Sequence, residues 1–191
     1  MNAIPVQPLA TKRLPACRAA RRGPGSAGFA SALLLPLLLA AAESAQALCL
    51  PAVCTCSVQT TPLLFANYNP LAYGNTDTTG TVTFKCGGVA GLLIPFTIAL
   101  STGGGSSFSG RRMSYGGNLL SYNLYSDSSY TTVWGDGTAS TGTVSATILL
   151  DVLSLLGSAT YTVYGRIPAR QVTTVPGGPY TDAVTVTVTY Q

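Results

Sequence analysis

Proton-transfer catalysis near neutral pH usually relies on a side chain that titrates there, and this chain has no histidine. Its one glutamate is Glu43, and its other carboxylates are Asp77, Asp127, Asp136, Asp151 and Asp182. Two aspartates brought together could act as acid and base or hold calcium. Their surroundings favour turns instead. Asp136-Gly137 reads as a hairpin turn, and Asp77 and Asp182 stand in polar, turn-like stretches where a short carboxylate bonds nearby backbone amides. The serines have neither a histidine base nor a Gly-x-Ser-x-Gly elbow, so no hydrolase can be assembled. Lys85 adjoins Cys86 at a strand end and reads as a solvated lysine. Tyr115, Tyr122, Tyr125, Tyr130, Tyr161 and Tyr164 could stack on sugars, but in such a sequence they fit half-buried strand positions better. Cys54-x-Cys56 has the wrong spacing for a zinc knuckle. The expectation is a protein with no catalytic residues, no metal and no cofactor.

The elements around these residues begin with a leader. Lys12, Arg13, Arg18, Arg21 and Arg22 run into an apolar stretch from Phe29 to Ala42, and Ala45-Gln46-Ala47 supplies a small-x-small cleavage pattern. The apolar stretch is shorter than the roughly 20 residues that span a bilayer. Residues 1–47 are therefore expected to be a signal peptide, with the mature chain starting at Leu48. Leu48 before Cys49 does not suit lipid attachment. Without the leader, five basic residues face five acidic ones, and the scattered Lys85, Arg111, Arg112, Arg166 and Arg170 give no footprint for nucleic acid. Cys17 leaves with the leader, and Cys49, Cys54, Cys56 and Cys86 remain as an even set that suits two disulfides in an oxidising compartment. Their sequence positions alone leave all three pairings open.

After the leader, Thr, Val, Tyr, Ser and Gly dominate and no helical period persists, so the domain is expected to be all-β. Strands are expected over 57–65, 80–86, 94–100, 119–126, 143–150, 160–167 and 183–190. The last alternates strictly, placing Val184, Val186, Val188 and Tyr190 on one face that must be buried. Residues 152–156 could continue a strand or form a short helix. Gly103 to Ser107 and Pro176 to Pro179 read as flexible or turn-forming connections. Nothing between the strands could form crossover helices, which favours a two-sheet sandwich.

Several strings then occur in order: Phe65-x-x-Tyr68-Asn69-Pro70, Thr79-Gly80-x-Val82 to Cys86, Arg112-Met113, and Leu120-x-Tyr122-Asn123-Leu124-Tyr125-x-Asp127. They continue with Trp134-Gly135-Asp136-Gly137, Val163-Tyr164-Gly165-Arg166-Ile167-Pro168-Ala169-x-Gln171, and Tyr180-x-Asp182 leading into the last strand. From Cys56 to Tyr190 the chain resembles the spore coat protein U domain family, most of whose members look like subunits of archaic chaperone-usher pili. The resemblance implies an immunoglobulin-like β-sandwich of pilin type over residues 56–191, incomplete because the final strand is missing. It also implies a groove lined by Val184, Val186, Val188 and Tyr190 that a neighbouring subunit fills by strand addition, after a periplasmic chaperone has lent its own strand. Cys56 would pair with Cys86, leaving Cys49 and Cys54 as a second candidate pair. The partners implied are that chaperone, an outer-membrane usher and other pilus subunits. The route is through the periplasm to the cell surface, for attachment and biofilm formation.

The motif residues, with Arg111 beside Arg112, carry no role that the sequence alone supplies. Arginine stacked on tyrosine at the sandwich rim fits them as well as ligand contact does. The short segment 48–55 departs from a strand donor. Its eight residues reach about 27 Å at full extension, Pro51 removes a ladder donor, and a Cys49–Cys54 bridge would fold it back. The expectation is a subunit that accepts a strand without giving one, at a pilus tip or as a minor component. The alternative is a self-contained secreted surface or coat domain that binds carbohydrate.

Overall fold

The structure, a computed structural model, describes residues 4–10, 54–174 and 178–190. Eleven strands follow in chain order: β1 Ile4–Ala10, β2 Thr55–Thr60, β3 Leu63–Phe65, β4 Thr76–Gly87, β5 Leu93–Leu100, β6 Arg112–Tyr115, β7 Asn118–Ser121, β8 Asn123–Tyr125, β9 Val144–Leu149, β10 Leu156–Ile167 and β11 Asp182–Tyr190. The sandwich expected from the sequence is present. One sheet runs β3-β1-β11-β5-β9, the other runs β2-β4-β10-β8, and β6 with β7 forms a separate hairpin. Pairing is antiparallel except between β1 and β11, which run parallel. The expected signal peptide falls mostly outside the described residues, as do its cleavage site, Cys17 and Cys49. No helix among the described residues is long and apolar enough to cross a membrane.

Alternation places the core. On β4, Val82, Phe84 and Cys86 turn inward; on β5, Ile94, Phe96, Ile98 and Leu100 do so from the facing sheet. The Phe84 ring lies 4.7 Å from Phe96 and 5.6 Å from Tyr190, so aromatic packing joins the two sheets. Cys56 and Cys86 stand opposite each other in the β2–β4 register and are disulfide-bonded, with Cα atoms 4.1 Å apart. A bridge spanning 30 residues stabilises the fold by roughly 3–4 kcal/mol in the chain-entropy model. Cys54 is also disulfide-bonded.

Several expectations need correction. The strand read over 57–65 breaks at Thr61-Pro62, where a residue without an amide hydrogen cannot continue the ladder, and β3 crosses to the other sheet. The strand read over 119–126 divides into β7 and β8, and β7 turns back on β6 through Gly116 and Gly117, at φ 54° and 84°. That is the left-handed pair a tight hairpin requires. Residues 152–154 form a turn held by Asp151, whose Oδ1 accepts from the amides of Leu153 at 2.9 Å and Ser154 at 2.8 Å, and Leu156 already begins β10. Asp136 bonds the Thr138 amide at 2.9 Å as turn chemistry predicts, but the flanking Trp134 and Gly142 meet in an isolated parallel bridge and not in a hairpin. Asp77 lies within β4 and not in a turn, facing Arg166 across the ladder.

Candidate strand-accepting groove

In the first sheet, β3 and β11 do not touch. They are separated by the width of one strand, and the backbone of Ile4–Ala10 fills the gap. Its register sets Ile4 opposite Phe65 and Val6 opposite Leu63 on one side. On the other side Val6 faces Asp182, Pro8 faces Val184 and Ala10 faces Val186. Beneath the gap the core is mostly apolar: Leu63, Val82, Leu100, Val163, Val184 and Val186, with Thr61 and Thr81, line a residual cavity of about 10 Å³, at the lower limit for one water. Val184, Val186, Val188 and Tyr190 are all buried. The inserted strand pairs along 182–186, so Val184 and Val186 belong to the groove edge, whereas Val188 and Tyr190 lie in the stretch paired with β5.

Two glycines fit the floor to this edge. A Cβ on Gly165 would stand 2.7 Å from Leu63 Cδ2 and 2.8 Å from Phe65 Cζ, and one on Gly80 would stand 2.9 Å from Leu63 Cδ1. The missing side chains on β4 and β10 therefore let β3 sit close.

The mouth of the groove is polar. Arg111 is fully buried. Its Nε and Nη2 donate to the Ser101 carbonyl at 3.2 and 2.7 Å, Nη2 also donates to the Trp134 carbonyl at 2.8 Å, and Nη1 donates to Asn123 Oδ1 at 3.0 Å. Burial lowers its pKa to about 10, with Tyr122 and Asp182 opposing the shift, so it stays charged at neutral pH. Asp182, the first residue of β11, accepts from the Gly104 amide at 2.7 Å and from the Tyr122 hydroxyl. Burial, and then the Asp182 carboxylate, push the Tyr122 phenol well up, which keeps it a donor. Gly103, at φ 66°, approaches Asp182 so closely that any Cβ would collide with the carboxylate. The glycine run, read as a flexible or turn-forming connection, does turn here, and it forms a cradle for this side chain.

The remaining motif residues fall into two other groups. On the outer face Arg166 makes a bidentate pair with Asp77, at 2.8 and 2.7 Å, and its guanidinium sits 3.5 Å over the Tyr130 ring. The hydrogen bond to Arg166 holds Asp77 below the usual carboxylate range. Tyr130 has φ 58°, in a loop tied by Asp127, which accepts from Ser129 Oγ at 2.6 Å and the Thr132 amide at 2.7 Å. Tyr125 packs edge-on against Tyr130. The second group is a latch: Tyr68 donates to the Pro168 carbonyl at 2.8 Å and accepts from the Gln171 amide at 2.9 Å, while Gln171 Nε2 reaches the Ser121 carbonyl at 2.8 Å.

Arg112 is exposed on β6, whereas Met113 and Tyr180 are buried and Tyr180 packs on Tyr115. Gly135 leaves no room for a Cβ beside Thr141. Ser101 carried no sequence signal. Arg111 stands with Arg112 among the family-motif residues without an assigned role, and an arginine directly before a short strand does not announce its burial. Each of the five aspartates accepts hydrogen bonds within its own neighbourhood. What this geometry offers is backbone pairing and apolar cover for an added strand.

No curated protein matches the chain. Among solved structures, a chain of the CsuC–CsuE chaperone–tip adhesion subunit pre-assembly complex, from archaic chaperone-usher Csu pili of Acinetobacter baumannii, is similar at 21% identity with a TM-score of 0.49. The match covers 71% of this chain and 40% of that one. The family model described as Spore Coat Protein U domain matches residues 43–187. The chain belongs to the Spore Coat Protein U domain family.

Proposed function

We propose that this protein is a structural or adhesive subunit of a chaperone-usher surface pilus, completed by a strand from a partner. One observation carries the reading: the gap between β3 and β11 is filled by Ile4–Ala10, a segment the sequence assigns to the removed leader. Once the leader is gone, two strand edges and an apolar floor lose their cover, and such a gap is both an aggregation hazard and a polymerisation site. A periplasmic chaperone covers it during transit, and an usher exchanges that cover for another subunit's strand. Segment 48–55 is too short and too constrained to serve as a donor, which suits a tip or minor subunit working in attachment and biofilm formation.

The test is periplasmic expression of the precursor with and without a periplasmic chaperone of a chaperone-usher system. The proposal expects degradation or aggregation of the lone protein, and a one-to-one complex when the chaperone is present. A soluble, cooperatively melting monomer without the chaperone would overturn it in favour of a self-contained surface domain that binds carbohydrate.

A further inference from the structure

The edge of the groove on β11 is built in two ways along its length. From Val186 to Tyr190 the strand pairs with β5 through a regular ladder. From Asp182 to Thr185, where the inserted strand begins, side chains share the hold with one backbone bond. Ser101 Oγ accepts from the Thr185 amide at 2.9 Å, and the Ser101 amide donates to the Thr185 carbonyl at 2.9 Å. The Ser101 carbonyl in turn is gripped by Arg111. Asp182 is fixed by the Gly104 amide and the Tyr122 hydroxyl. Arg111 also binds Asn123, next in sequence to Tyr122, so both holds on β11 pass through one buried cluster.

We infer that Arg111, Tyr122 and Asp182 are positioning residues that keep the first half of β11 extended and in register, ready for an incoming strand. This rests on the strand-accepting reading above. A strand that must form main-chain hydrogen bonds along 182–186 gains them at full strength only if that edge is already fixed, since otherwise its ordering is subtracted from the binding energy. The regular ladder with β5 ends at Val186; beyond it the cluster fixes the strand together with the Ser101–Thr185 backbone bond and the antiparallel bridge between Ser114 and Thr181. The cluster would therefore act on capture of the strand more than on the stability of the filled domain, where the captured strand holds the same edge.

The experiment uses the full, oxidised chain and a fluorescent synthetic peptide with the sequence of Ile4–Ala10, which competes with the chain's own copy. Capture of the peptide and melting of the peptide-filled protein are measured for the wild type, Tyr122→Phe, Asp182→Asn and a remote control, Asp136→Asn. Tyr122→Phe removes a single oxygen and Asp182→Asn retains one acceptor, so both leave the packing intact. The expected result is capture weakened about tenfold in Tyr122→Phe and Asp182→Asn, equivalent to about 1.4 kcal/mol. Melting of their filled forms should change little, and the control should behave as wild type. Unchanged capture together with lower melting in both variants would make the cluster merely structural and overturn the inference. Failure of the wild type to capture the peptide would instead remove the strand-accepting reading, and this inference with it.

Discussion

The two halves of β11 make the same kind of strand by different means. Val186–Tyr190 faces Phe96–Leu100 residue for residue, and regular ladder bonds with interleaved Val and aromatic side chains hold it. Asp182–Thr185 is held by Ser101, Gly104, Tyr122 and, through Ser101, a buried guanidinium. The first half takes Ile4–Ala10 as its neighbouring strand, and the second pairs with β5. A ladder distributes its stability over many equivalent bonds, whereas a side-chain cluster concentrates it in a few that single substitutions can remove.

The largest expected effect is at Arg111. Arg111→Leu leaves the Ser101 and Trp134 carbonyls without this donor and Asn123 Oδ1 with only the Leu124 amide, and should cost about 3–5 kcal/mol in denaturant unfolding. A loss below about 1 kcal/mol would mean that the hydrogen bonds of the buried guanidinium add little to the fold. Next is the disulfide. Paired Cys56→Ala and Cys86→Ala substitutions should cost about 3 kcal/mol, but because the bridge lies in the other sheet, amide exchange should rise equally in both halves of β11. A selective rise in 182–186 would blur the distinction between them.

Gly165→Ala should cost about 1–3 kcal/mol by pushing Leu63 and Phe65 outward. It should disturb β3 and the groove half of β11 before the ladder half, which backbone amide shifts would reveal. Smallest is Asp77→Asn, which breaks a partly exposed ion pair far from either half and should change stability by about 1 kcal/mol or less. The pH dependence follows from the depressed carboxylates. Asp77, Asp127, Asp136 and Asp151 have folded-state pKa values below their ordinary ones, through Arg166, Ser129, Thr138 and the Ser154 amide respectively. Their contribution is complete above the ordinary carboxylate range and is lost as pH falls through the folded values. With no histidine in the chain, melting should be flat from pH 8 to about pH 5 and fall in acid.

Sequence reasoning reached the sandwich because alternation over 183–190 and the β-branched composition leave few other ways to bury those faces. The Cys56–Cys86 bridge was reachable only through the family resemblance, since spacing among four cysteines cannot choose a pairing. Breaks within strands escaped it where one residue decides the matter: Pro62 ends β2, and Gly116-Gly117 turns β6 onto β7. The polar cluster was least legible. Its members come from four stretches, and only the fold shows that Gly103, Arg111, Tyr122 and Asp182 meet. A glycine run before an arginine looks the same whether it is a tether or a cradle.

The most direct test of the central claim is amide hydrogen exchange along β11 in the leader-processed protein, compared between the chaperone complex and the protein released from it. The account predicts strong protection of 182–186 in the complex, its loss on release at the amides that face the gap while the Thr185 amide stays held by Ser101, and smaller change over 187–190. Equal protection of both halves in the free, processed protein would mean that the gap between β3 and β11 is closed without a partner, and would contradict it.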